Sequence, residues 1–169
     1  MFETKRLLLR KLKESDTKDI FEMRKDPDVM RYIGEPQTDI KSSSTWIVKM
    51  SERWDKERIG FSAVVDKKTK EFIGWCGLWI LNETNEIEVG YAISPKFWGK
   101  GYATEAARRC VKYGFEELEL DKIVALAFPE NKASQNVMKK LGMKYCLTGQ
   151  FYKKELVQFA ITKEEYARN

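Results

Sequence analysis

Histidine is missing from all 169 residues of the chain. Its absence excludes Ser-His-Asp and Cys-His nucleophilic devices, imidazole as a general base and His-ligated zinc. Proton transfer then falls to carboxylates, Tyr, Lys, Cys, water or the substrate itself. Cysteine is nearly as scarce. Cys76, Cys110 and Cys146 show no CxxC or metal-type spacing and each lies in an apolar stretch, so all three are expected as buried free thiols and no metal is expected. Long apolar runs are lacking too: none approaches the roughly 20 residues a membrane-spanning helix needs. The opening Met1-Phe2-Glu3-Thr4-Lys5-Arg6 does not lead into the apolar region of a signal peptide. A soluble, cytoplasmic protein without a membrane partner is the expectation. There is also no block of one charge. The 31 basic residues are interspersed with 26 acidic ones for a net charge of +5, and Lys67-Lys68-Thr69-Lys70 reads as a solvated turn, so nucleic acid is not expected as a partner.

What remains is 43% apolar and long enough to bury one core. Residues 6–12 read as a first strand. Ser15 and Asp16 cap a helix that runs to Lys25, where Asp26-Pro27 stops it because the residue before proline avoids the helical region. A loop through Gly34 and Pro36 leads to a second helix over 39–56, with Ile40, Ile47, Met50 and Trp54 at an approximate helical period. Three strands follow over 59–65, 71–81 and 86–94, joined by hairpin-type connections. From Ala103 the period becomes helical, with Ala106, Ala107, Cys110, Val111, Gly114, Phe115 and Leu118 on one face. A strand over 123–128, a helix over 132–141 ended by Gly142, and strands near 143–147 and 155–162 close the chain. The order implies an α/β fold: a single domain over 1–169, with a central mixed, mostly antiparallel twisted sheet of about seven strands and helices on both faces.

The most informative stretch is Tyr91-Ala92-Ile93-Ser94-Pro95-Lys96-Phe97-Trp98-Gly99-Lys100-Gly101-Tyr102-Ala103-Thr104. A strand ends at Pro95, and a glycine-rich turn opens directly onto a helix. Gly99 and Gly101 let the backbone reach positive φ and come close to a ligand. The free amides of the helix's first turn and its positive dipole end suit an anion such as a diphosphate, and Lys100 adds a positive charge. A ligand-free tight turn would use the same residues. The kinase-type P-loop is ruled out because Gly99-Lys100-Gly101 lacks the four-residue span, and the dinucleotide fingerprint fails because Thr104 holds the place of its third glycine.

Gly99-Lys100-Gly101-Tyr102-Ala103-Thr104-Glu105-Ala106 resembles the acetyl-CoA loop of the GNAT acetyltransferases, in the branch that acetylates protein N-termini, including ribosomal ones. Trp98 departs from the polar residue that usually opens the pattern. Thr4–Arg10 with Asp26–Tyr32 is similar to the N-terminal half of that branch, and Asn131–Met143 to its second cofactor-facing helix. The resemblance implies acetyl-CoA as co-substrate and an amine acceptor, either a protein N-terminus or a small molecule such as an aminoglycoside, polyamine or amino acid, in a monomer or homodimer. It also implies that Gly99, Lys100, Gly101, Tyr102, Ala103 and Thr104 hold the diphosphate. Ala92 and Ile93 would offer a strand edge to the pantetheine arm, and Asn131 would hydrogen-bond to it.

Two residues are candidates for catalysis. Alternation along Glu86-Ile87-Glu88-Val89-Gly90-Tyr91 puts Glu86, Glu88 and Gly90 on one face of the strand and Ile87, Val89 and Tyr91 on the other. A carboxylate in mid-strand is costly unless exposed or useful, so Glu88 is a candidate general base, and a salt-bridged or solvent-facing role is its alternative. The tyrosine that protonates the leaving thiolate in many members falls here on Met138. The resemblance offers Ser134, one turn earlier, either as the acid or as a cofactor-binding residue. A non-catalytic acyl-CoA-binding module is the reading from a different class. Glu105 is read as structural, and Trp46, Trp54, Trp75 and Trp79 as core more than acceptor pocket.

Overall fold

The computed structural model describes residues 2–168. Its eight strands are β1 (Phe2–Glu3), β2 (Leu7–Lys11), β3 (Phe61–Asp66), β4 (Phe72–Leu81), β5 (Glu86–Ile93), β6 (Lys122–Ala127), β7 (Lys144–Phe151) and β8 (Lys154–Thr162). They form one sheet in the order β1-β2-β3-β4-β5-β6-β8-β7. Every neighbouring pair is antiparallel except β5 with β6. The helices are α1 (Thr17–Lys25), α2 (Pro27–Met30), α3 (Ile40–Glu57), α4 (Tyr102–Glu116), α5 (Lys132–Lys140) and α6 (Lys163–Ala167).

Two apolar layers cover the two faces of the sheet. On one, α1 and α3 bring Ile20, Met23, Ile47 and Met50 against Ala63, Val65, Trp75 and Ala92. On the other, α4 and α5 bring Ala106, Ala107, Cys110, Val111 and Met138 against Leu7, Val64, Ile73, Val89 and Ile123. Small residues on the inner face of α4 let the helix lie close to the strands. The alternation expected for β5 holds: Val89, Tyr91 and Ile93 belong to the α4 side, Ala92 to the α3 side.

Several elements differ from the sequence reading. The two-residue β1 and the short α6 were not foreseen. Nor was α2, where Pro27 at the first helical position restarts a helix and the Asp26 carboxylate caps the Asp28 amide at 2.8 Å. Cys146 corrects the thiol expectation. Cys76 and Cys110 are buried with their sulfurs 3.5 Å apart, but Cys146 is exposed. It sits on β7, the outermost strand, at a register shift between Tyr145 and Leu147, so its apolar neighbours in sequence lie at the sheet edge and not in the core. Among the described residues, no helix is long and apolar enough to cross a membrane.

Candidate active site

The parallel pair β5–β6 opens along its length. Its backbones register at Glu88↔Val124 alone, and at the closed end Glu86 pairs with Lys122 at 2.7 Å and accepts from the buried Gln158 at 3.0 Å. Beyond Glu88 the strands part. A cavity of about 940 Å³ fills the opening, at the carboxyl ends of the strands where open α/β sheets commonly bind ligands.

At one end of this cavity stands the glycine turn. Gly99 and Gly101 have φ of +74° and +77°, a region L side chains enter only with strain, and no heavy atom lies within 4 Å of where a Cβ of Gly99 would stand. Gly101 is the N-cap of α4, and the first helical bond runs from the Glu105 amide to the Gly101 carbonyl at 3.1 Å. The amides before Glu105 therefore point out of the helix end. Gly99, Gly101, Tyr102, Ala103 and Thr104 all line the cavity. Lys100 does not line it, its exposed ammonium resting on the Lys96 carbonyl at 3.1 Å. The cation beside the turn is Arg6, which donates to the Lys100 carbonyl at 2.9 Å and lies 4.3 Å from the Tyr102 ring centre. Glu105 is structural. Its carboxylate takes the Arg6 amide at 2.8 Å, the Arg6 Nε at 2.6 Å and the Thr4 hydroxyl at 2.5 Å, fastening the start of the chain to the first turn of α4.

Along β5 the backbone groups alternate between the two edges. The Ala92 carbonyl faces β4, where it lies 2.1 Å from the position a Cβ of Gly74 would take, so that residue must be glycine. Ile93 consequently turns its carbonyl to the opening, where Trp98 Nε1–H donates to it at 2.5 Å. Ala92 and Ile93 both line the cavity, but of the two only Ile93 directs backbone groups into the gap, and Tyr91 does so as well by the same alternation.

Glu88 lies at the point where the strands separate. Burial pushes its carboxyl up to about 7, the Tyr152 hydrogen bond opposes the rise, the Glu83 charge adds to it, and the Leu126 amide of β6 lowers it again. The Tyr152 phenol donates to Glu88 Oε2 at 2.6 Å. On the other side of the sheet, Ser134 lies in the first turn of α5, with its amide capped by Asn131 Oδ1 at 3.1 Å. The Ser134 Oγ is 2.9 Å from the Tyr91 phenol, which also donates to the Ser134 carbonyl at 3.1 Å. Burial raises the Tyr91 pKa far above that of a free phenol, so it stays protonated. Glu88 and Ser134 thus come from opposite faces of the sheet and line one cavity, because the cavity passes through the gap between β5 and β6. Met138 is buried below Ser134 and brings no proton donor.

The four tryptophans divide. Trp75 and Trp79 line the cavity with Phe61, the Phe61 and Trp79 rings stacking at 5.8 Å. Trp46 backs them, 5.6 Å from Trp75, whereas Trp54 packs with Phe2 and Tyr113 in the opposite layer. Tyr32 and Phe128 form a second aromatic wall, 5.7 Å apart. Two site residues were not singled out in the sequence reading: Tyr91, which alternation placed on the strand face opposite Glu88, and Tyr152, in the connection before the last strand. Among the described residues, no group of three or more His, Cys, Asp or Glu is placed to hold a metal ion.

A sheet split beside a parallel strand, with a glycine turn at a helix mouth and one cavity joining the two, makes a slot for an extended ligand with an anionic end. The acetyltransferase (GNAT) domain family matches residues 6–144. The chain belongs to that family and is an acetyl-CoA-dependent N-acetyltransferase. It is 39% identical to the protein YkkB of Bacillus subtilis over 150 residues, 86% of either chain. It is 30% identical to spermidine N(1)-acetyltransferase of Escherichia coli K12 over 143 residues, covering 79% of this chain and 70% of that one. A GNAT-family acetyltransferase from Bacillus anthracis superposes with a TM-score of 0.81 at 29% identity, over 96% of this chain and 98% of the other.

Proposed function

We propose that the protein transfers the acetyl group of acetyl-CoA to a small primary amine, with Glu88 as general base and Ser134 as hydrogen-bond donor to the departing sulfur. The single cavity that connects the Gly99–Thr104 turn with both residues carries this reading. The turn residues fit a diphosphate: two glycines in the left-handed region leave the amides of a helix mouth open to an anion. The pantetheine arm then lies along the open edge of β5, with Asn131 beside it, and the thioester stands in the gap.

Alignment supplies much of the rate, since reactants held within contact distance no longer lose the entropy of encounter. Glu88 takes a proton from the bound ammonium, the freed amine nitrogen attacks the thioester carbon, the C–S bond breaks, and the second proton that nitrogen sheds balances the one the thiolate gains. A carboxyl near pH 7 is suited to this exchange, being ionised often enough to act and basic enough to accept. A thiolate needs less help, because a thiol of pKa about 8.5 is protonated by solvent at neutral pH. Ser134 therefore assists with a hydrogen bond, held in place by Tyr91 behind it.

At the acceptor end the Glu88 carboxylate faces the cavity among Trp75, Trp79 and Phe61, one acid in an apolar wall, which suits a primary amine. The E. coli relative, named for spermidine, supports a small-amine acceptor. A protein N-terminus, implied by the sequence resemblance, gains no such support. The test is an acceptor screen that reads thiol release from acetyl-CoA, with polyamines, amino acids and aminoglycosides in one arm and N-terminal peptides in the other. Turnover confined to the peptide arm would overturn the small-amine reading.

A further inference from the structure

The hairpin between β7 and β8 turns at Tyr152 and Lys153, with φ of +51° and +59°. Two successive left-handed residues make the tight turn that suits strand twist, and asparagine and glycine adopt it most readily. Neither is present. A bulky tyrosine held in this region is a backbone outlier that needs a compensating contact.

The compensation comes from two carboxylates. The Tyr152 amide donates to Glu83 Oε1 at 2.6 Å, which fastens the hairpin tip to the turn between β4 and β5. The phenol of the same residue reaches Glu88 Oε2 at 2.6 Å. From this geometry we infer that Tyr152 is a positioning residue for Glu88: its phenol caps Oε2 and orients the carboxylate so that Oε1 is left to meet the acceptor's amine. The inference rests on the reading of Glu88 as the base.

Every element around Glu88 bears on its charge. Leu126 of β6 gives an amide, and Glu83 of the β4–β5 turn gives a negative charge that raises its proton affinity. Glu86, two residues back on the same face, is neutralised by Lys122. Tyr91, on the opposite face, stays protonated, while Asp28 and Arg31 from the α2 region and Lys154 from β8 line the same cavity. Among the described residues, Tyr152 is the side chain that hydrogen-bonds to the carboxylate.

The experiment is the pH profile of kcat/KM with an active acceptor from the screen, for wild type, Tyr152→Phe, Glu83→Gln and Glu88→Gln. Tyr152→Phe keeps the ring and loses the donor, so its acid limb should move up by about one pH unit. Activity should fall about tenfold at pH 6 and recover toward wild type at pH 9, with acetyl-CoA affinity unchanged. Glu83→Gln keeps an oxygen for the Tyr152 amide and removes the charge, so its limb should move down. A purely structural role for Tyr152 predicts a uniform loss at all pH values with the midpoint fixed, and that result would overturn the inference. If Glu88→Gln itself retains both rate and limb, the reading of Glu88 as base has failed. If Glu88→Gln is impaired while the Tyr152→Phe limb stays put, only the role of Tyr152 has failed.

Discussion

Along one edge β5 pairs with β4 over eight register positions, from Gly74↔Ile93 to Leu81↔Glu86, whereas along the other it meets β6 at Glu88↔Val124 alone. The closed edge is specified by close backbone approach, as where the Ala92 carbonyl occupies the place of a Gly74 side chain. The open edge is specified by side chains: the Glu86–Lys122 pair holds one end shut, and Glu88 stands where the strands part. One strand thus builds the sheet along one edge and lines the cavity along the other. The opening through the sheet lets residues from both faces line one cavity.

The strongest way to break the comparison is at Glu88. Glu88→Gln should lower the acetyl-transfer rate about 10²-fold at neutral pH, the low end for loss of a general base, while calorimetric affinity for acetyl-CoA stays the same. Next comes the turn. Gly101→Glu puts bulk and negative charge at a residue with φ of +77° and should weaken acetyl-CoA binding tenfold or more, over about 1.4 kcal/mol. Unchanged affinity in a folded variant would remove the turn from the cofactor site.

A smaller effect belongs to the opposite face. Ser134→Ala should slow turnover several-fold, on the order of one lost hydrogen bond, with a defect that grows as pH rises and solvent becomes a poorer proton source. An equally large rise in the acetyl-CoA dissociation constant would make Ser134 a binding residue instead.

The smallest effect concerns stability, and its sign follows from linkage. The Glu88 pKa is raised in the folded protein, so its ionised form destabilises the fold above the unfolded value. The penalty is absent below about pH 4, grows between about pH 4.5 and 7, and is complete above that. Glu88→Gln should therefore melt at a higher temperature than wild type at pH 8 and show no gain at pH 4. The ceiling is about 3 kcal/mol, and the gain should fall short of it because the carboxylate faces a cavity open to water. A variant less stable than wild type at pH 8 would show that the Glu88 charge is better accommodated than burial implies.

The legible parts of the molecule were those that local chemistry specifies. Gly99 and Gly101 before a helical period announce a turn with a free helix mouth, and the two-residue period of β5 sets Glu88 apart from Val89 and Tyr91. Contacts made by residues distant in sequence were hidden. Alternation placed Tyr91 on the face opposite Glu88, and its phenol does point to the α4 and α5 side, but only the packing of α5 shows that it ends on Ser134. Tyr152 falls in the connection left between the last two strands, but no residue type there marks the contact its phenol makes with Glu88, 64 residues away. Lys100 is a long, exposed chain whose ammonium rests on the Lys96 carbonyl, a contact that its place in the sequence does not announce. Cys146 shows that an apolar stretch does not imply burial on an outermost strand.

The central claim, that Glu88 takes the amine's proton at the gap in the sheet, is tested most directly by the pH dependence of kcat/KM in wild type and Glu88→Gln with one amine acceptor. Wild type should show an acid limb with a midpoint close to 7 that Glu88→Gln lacks. What dependence remains in the variant should follow the acceptor's own amine, and the gap between the two enzymes should narrow as the amine deprotonates unaided. Superimposable profiles of equal height from pH 6 to 9 would contradict it, leaving alignment within the cavity as the source of the rate.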